Sequence, residues 1–242
     1  MILLEIIING NRICYEQLGS GKDIVMLHGW GQNKEMMLPL AKKLSNNFRI
    51  TVLDLPGFGL SSEPDGGIDI YQYTNIIEEF IDNLNIKSPI IIGHSFGGRI
   101  AIIYASRNKT EKVVLFGAPC IRERKLSKKE KILKKLKNIP GTKTLVEIAK
   151  SYIGSEDYKK ASPIMRDLLV KVINEDLSEC AKKIKTPTLL IWGDKDTAAP
   201  IEDARKLEKI LPNGGLVEIK GCTHYAYLEA IDYVVKILKE FL

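Results

Sequence analysis

The sequence predicts an α/β protein: a mostly parallel sheet, helices on both of its faces, and a helical segment inserted late in the chain. Three observations carry this. Short runs of aliphatic and β-branched residues alternate with helical patterns up to about residue 120, and the rhythm returns from 187. Those runs show no polar alternation, as expected of strands buried on both faces. Between 121 and 186 the β-runs vanish and the charge changes. That stretch holds 18 Lys+Arg against 9 Asp+Glu, whereas the remainder holds 18 against 21, in a 242-residue chain of net charge +6.

In chain order, residues 2–8 and 12–17 flank Asn9-Gly10, a hairpin turn signal. A strand over Asp23-Ile-Val-Met-Leu27 is followed by a helical pattern near 34–46, a strand at Arg49–Leu53 and a helix near 71–84. Next come Pro89-Ile-Ile-Ile92, a helix near 96–107 and Lys112–Phe116. In the basic stretch, Ser127-Lys-Lys-Glu130 leads into Ile132, Leu133, Leu136 and Ile139 at helical spacing, and Gly141, Gly154 and Pro163 punctuate further short helices. The chain closes with Thr188–Trp192, a helix near 201–211, Leu216–Ile219 and a helix near 230–241. The expected organisation is a core of 1–120 and 187–242 with a helical cap of 121–186.

Composition excludes several classes. At 45% hydrophobic, with 19 Gly and 10 Pro, the chain is neither disordered nor collagen-like. No apolar run approaches the 18 residues or more of a membrane span. The N-terminal apolar stretch carries Glu5 and no basic flank, so it reads as a strand and not as a secretory leader. Cys14, Cys120, Cys180 and Cys222 lie far apart, which points to a reduced, cytoplasmic protein. The three histidines, His28, His94 and His224, show no ligand spacing, so no metal is expected, and no cofactor. Gly57-Phe58-Gly59 lacks the third glycine of a dinucleotide loop. The basic stretch has only Tyr152 and Tyr158 as aromatics, which argues against nucleic acid and for a solvated lysine face. The sharper alternative is that it steers an anionic substrate or an acidic carrier protein.

The chemistry centres on Gly93-His94-Ser95-Phe96-Gly97, directly between a strand and a helix. A serine nucleophile needs such a tight turn to project its hydroxyl above the sheet, with glycines at either side to let backbones approach. Serine is a weak nucleophile, so it needs a base, and the base an orienting acid. His224 follows the strand ending at Ile219 and is the candidate base; Asp196, after Trp192, is the candidate acid, with Asp194 as its rival. Each stands beyond the C-terminal end of a strand, where parallel sheets place their sites. His28-Gly29-Trp30-Gly31 presents the Trp30 backbone N–H, which pairs with that of Phe96 as an oxyanion hole. His28 itself reads as a structural histidine and His94 as facing away from the nucleophile. Trp30, Phe96 and Tyr225 are candidate pocket walls, with Leu126, Leu145 and Ile164 contributed by the cap.

From about residue 12 onward these stretches, LHGWG (27–31), DLPGFGLSS (54–62), GHSFGGR (93–99), WGDKD (192–196) and GCTHYAYLE (221–229), resemble the α/β-hydrolase superfamily. The chain is similar to pimeloyl-ACP methyl ester carboxylesterases, and also to meta-cleavage-product C–C hydrolases and cofactor-free perhydrolases. The resemblance implies the α/β-hydrolase fold with a helical cap, favours Asp196 over Asp194, and implies a cytoplasmic serine hydrolase acting on a small-molecule carboxylic ester. C–C bond cleavage by the same residues, a carbon–oxygen lyase, and a catalytically silent ligand receptor remain alternatives.

Overall fold

The computed structural model describes residues 3–122 and 156–242. It begins with an antiparallel hairpin, β1 (Leu4–Ile8) and β2 (Asn11–Leu18), turned by Asn9 and Gly10, both with positive φ. Then follow β3 (Lys22–Leu27), α1 (Leu38–Leu44), β4 (Phe48–Leu53), α2 (Ile70–Asn83), β5 (Ile90–His94), α3 (Phe96–Arg107) and β6 (Val113–Phe116). After the undescribed residues come α4 (Glu156–Lys160), α5 (Pro163–Asn174) and α6 (Ser178–Ala181). The chain ends with β7 (Thr188–Gly193), α7 (Ile201–Ile210), β8 (Gly214–Ile219), α8 (Ala226–Glu229) and α9 (Ile231–Phe241). All eight strands form one sheet in the order β1-β2-β4-β3-β5-β6-β7-β8. β2 pairs antiparallel with β1 and β4, and every pairing from β4 to β8 is parallel.

Alternate residues of the strands enter two separate cores, as the pleat dictates. Val25, Leu27, Ile91, Leu115, Leu190 and Trp192 face α2, α3 and α7. Ile24, Met26, Ile50, Ile92, Val114 and Ile191 face α1, α8 and α9. Burial on both faces explains why these strands carry no polar alternation.

The structure departs from the sequence pattern in detail. The helix expected near 34–46 is a 3₁₀ turn, Lys34–Met36, followed by α1, whose start is suited to Pro39 because a first-turn residue needs no N–H partner. The strand before the serine runs on through Gly93 and His94, which pair with Leu115 and Phe116. Only Ser95 is left between strand and helix. The last helical stretch is preceded by the separate turn α8.

Between β6 and β7 the described residues contain helices and no strand. α5 begins with Pro163 in its first turn, and the Ser162 hydroxyl accepts from the Met165 N–H as its cap. The expected helix around 127–139, Gly141, Gly154, Tyr152, Leu126 and Leu145 lie outside the described residues. Among the described residues no helix is long and apolar enough to cross a membrane.

Candidate active site

Ser95 stands at the C-terminal edge of the sheet's centre with φ 51° and ψ −109°, in the left-handed region that L-residues avoid. Its backbone is held there from both sides. The Ser95 N–H donates to the Phe116 carbonyl at 2.8 Å, and its carbonyl accepts from the Arg99 N–H at 3.1 Å. The Gly97 N–H donates to the His28 carbonyl at 3.1 Å, and a Cβ on Gly97 would collide with the backbone oxygens of Leu27 and His28. The second glycine of the motif is therefore required by close packing of α3 on β3.

The loops after β7 and β8 converge beside it. His224 Nδ1 lies 2.7 Å from Asp196 Oδ2. The other oxygen of Asp196 accepts from the N–H groups of Ala198 and Ala199, at 2.9 and 2.8 Å. Trp192 is fully buried, and its indole N–H donates to the Ala199 carbonyl at 2.6 Å, bracing the same turn. Asp194 points elsewhere and accepts from the Gly221 N–H at 2.7 Å, so of the two carboxylates left open by the sequence, Asp196 is the one against His224. The pair sits over Gly117, just after β6, where a Cβ would fall 2.9 Å from the imidazole and 3.3 Å from the carboxylate. Gly117 escapes sequence reasoning because only the β6–β7 adjacency, which brings the Asp196 loop over it, gives it meaning.

Trp30 and Phe96 lie on the other side of Ser95, their rings edge-to-face at 5.1 Å, with Phe58 against both. Neither the Trp30 nor the Phe96 backbone N–H has an acceptor among the described residues. A cavity of about 730 Å³ opens here, lined by Ser95, Trp30, Phe96, Pro119, Leu169, Val172 and Arg99 among others. That volume suits a small organic ligand. Tyr225 is not among its described lining residues; its ring packs on His94 and His224, at 5.3 and 5.6 Å. The expected wall residue thus lies behind the imidazole.

Arg99, one turn into α3, is buried and reaches across to α5. Its two terminal nitrogens donate to the carbonyls of Pro119 (2.6 Å), Val172 (2.9 Å) and Glu175 (2.7 Å). These last two are end carbonyls of α5, where a cation is favoured.

His28 is wholly buried: its Nδ1–H donates to the Gly29 carbonyl at 2.8 Å and its Nε2 accepts from the Leu55 N–H at 2.9 Å. Asp54 accepts from the N–H groups of Lys34 and Leu60, at 2.8 and 3.0 Å. His28 and Asp54 thereby bind the loop after β3 to the loop after β4. His94 has a partner of its own. Its ring turns onto the His224 loop, a contact that no sequence signal announces.

Burial holds His28 down to about 4 and His94 to about 3, from an ordinary 6.5. Both are neutral in the fold and readily protonated once unfolded. The unfolded chain therefore binds more protons as pH drops below about 6.5, and stability is lost from there toward each folded value. The expected result is a fall of about 1.4 kcal/mol per histidine per pH unit below about 6. Urea unfolding at pH 7, 6 and 5 measures it, and an unchanged midpoint would contradict the buried neutral state.

Fold and site together define a protein of the α/β-hydrolase type. Comparison with known proteins agrees. A family profile described as alpha/beta hydrolase fold matches residues 23–131. The AB hydrolase superfamily protein YisY of Bacillus subtilis is 28% identical over 93% of each chain. The pimeloyl-[acyl-carrier protein] methyl ester esterase of Aliivibrio fischeri is 23% identical over 93% of this chain and 95% of its own. Among solved structures, an esterase from Exiguobacterium antarcticum superposes with a TM-score of 0.78 at 25% identity over 98% of both chains. The chain has the α/β-hydrolase fold, and the proteins it is similar to include esterases.

Proposed function

We propose that this protein is a serine hydrolase of small carboxylic esters. The observation that carries the reading is the strained Ser95 elbow beside an imidazole whose Nδ1 is 2.7 Å from a buried carboxylate. In this reading the Ser95 hydroxyl attacks the ester carbonyl carbon as His224 Nε2 takes its proton. The carbonyl oxygen becomes an oxyanion and accepts from the free N–H groups of Trp30 and Phe96. Collapse of the tetrahedral adduct breaks the bond to the alcohol, which leaves with the proton from His224. Water then repeats the sequence on the acyl-enzyme, giving the acid and restoring Ser95. Asp196 keeps the proton of the neutral ring on Nδ1, leaving Nε2 free to act as base.

Residues 121–186 form the cap of this reading, which Arg99 ties to the elbow helix. The ester-hydrolysing relatives support a small-molecule ester, and the basic charge of 121–186 supports an anionic substrate or an acidic carrier at the cap. The four cysteines are free, as a cytoplasmic location favours.

The test is hydrolysis of p-nitrophenyl esters from acetate to decanoate beside fluorophosphonate labelling. Turnover that requires Ser95, with an optimum at short to medium chain length, is expected. Labelling at Ser95 without ester turnover would move the assignment to C–C bond cleavage. Neither labelling nor turnover would make the protein a silent receptor.

A further inference from the structure

We infer that His94, the residue before the nucleophile, is a positioning residue for His224, holding the backbone of the base through its own ring N–H. The inference rests on the assignment of His224 as base. His94 Nε2 lies 3.0 Å from the His224 carbonyl oxygen, and the two rings are 4.7 Å apart, centre to centre. The ring is wholly buried and has no room to turn. Tyr227 packs on it at 5.0 Å, Gln32 Oε1 stands 3.3 Å from Nδ1, and a Cβ on Gly29 would fall 2.8 Å from Nδ1.

The direction of the hydrogen bond follows from proton counting. Gln32 Oε1 already accepts from the Gly29 N–H at 3.0 Å. A buried neutral imidazole has one N–H; both oxygens can only accept, and the His224 carbonyl, at 3.0 Å against 3.3 Å, is the nearer partner. The proton therefore sits on Nε2. Its value to the site lies in where each group is anchored. His224 is on the loop following β8, an edge strand, and its neighbours Gly221 and Thr223 are exposed. His94 is the last residue of β5, in the middle of the sheet, joined covalently to Ser95. The bond ties the base to the strand that carries the nucleophile, so the two keep their spacing when the edge of the sheet moves. Displacements of about 1 Å at such a pair cost about 100-fold in rate.

The test compares two variants. His94→Phe keeps the ring and removes the donor; His94→Gln restores an N–H close to the position of Nε2. The expected outcome is a kcat lower by about 10-fold or more in His94→Phe with KM within about twofold, and a smaller loss in His94→Gln. The reverse order, with Phe as active as wild type and Gln worse, would show that the ring only fills space and would overturn the inference. Two NMR readouts stand apart from turnover and from the esterase assignment. In nitrogen-15-histidine-labelled wild type, His94 should be the Nε2–H tautomer; the Nδ1–H tautomer overturns the inference, and this needs no variant to fold. The low-field Nδ1 proton of His224 should broaden or vanish in His94→Phe and return in His94→Gln. If Ser95-dependent hydrolysis is absent while these signals behave as stated, the functional assignment fails and the anchoring stands.

Discussion

Ser95→Ala is expected to lose about 10⁴-fold or more in kcat while unfolding at nearly the same temperature. The two halves of this result have separate causes. The hydroxyl is the attacking group, and the members of such a constellation act as a unit, so its loss leaves only what the oxyanion donors and binding supply. The fold does not depend on that hydroxyl, which caps no helix N–H; what holds residue 95 is its backbone, bonded to Phe116 and Arg99. Alanine at φ 51° carries the same strain as serine. Steady-state kinetics beside a thermal melt checks both, and retention of more than about a tenth of wild-type activity would remove Ser95 from the role of nucleophile.

Asp196→Asn should cost a comparable factor, about 10⁴ in kcat, again with the fold intact. Two backbone N–H groups, of Ala198 and Ala199, point at Oδ1 and fix which way an asparagine amide lies. Its oxygen takes the place of Oδ1 and its NH₂ faces His224 Nδ1, 2.7 Å away in the native pair. The amide then donates where the carboxylate accepted. The ring proton is driven to Nε2, the atom that must be free to take the serine proton. Asp194→Asn is the control, because among the described residues that carboxylate accepts only from the exposed Gly221 N–H, and an amide oxygen accepts equally well. Equal losses in the two variants would contradict the assignment of Asp196.

The elements were legible in the sequence because their apolar runs are long and unbroken; most ends fall within a residue or two of the pattern. The helical pattern near 34–46 runs through Met37, where the structure passes from the 3₁₀ turn capped by Asn33 to α1, with Pro39 in its first turn. The places of Ser95, Asp196 and His224 were legible because each follows a strand end within a motif. What the sequence hid depends on strand order. Gly117 matters only because β6 lies beside β7, whose following loop carries Asp196, and His94 only because the His224 loop folds over the end of β5. Tyr225 was expected in the cavity from its place next to His224, but its ring packs on the rings of His94 and His224.

The Arg99 fork has a consequence for how the cavity admits its ligand. Drawing the C-terminal end of α5 away from the elbow helix would break both bonds of the buried Nη2, to Val172 and Glu175, and leave a charged donor unpaired, at a cost of several kcal/mol. Thermal motion at room temperature rarely supplies that. This flank of the chamber is a fixed jamb, set by the same helix that presents the serine, and the passage of ligand in and product out is left to whichever edges are not bolted to α3.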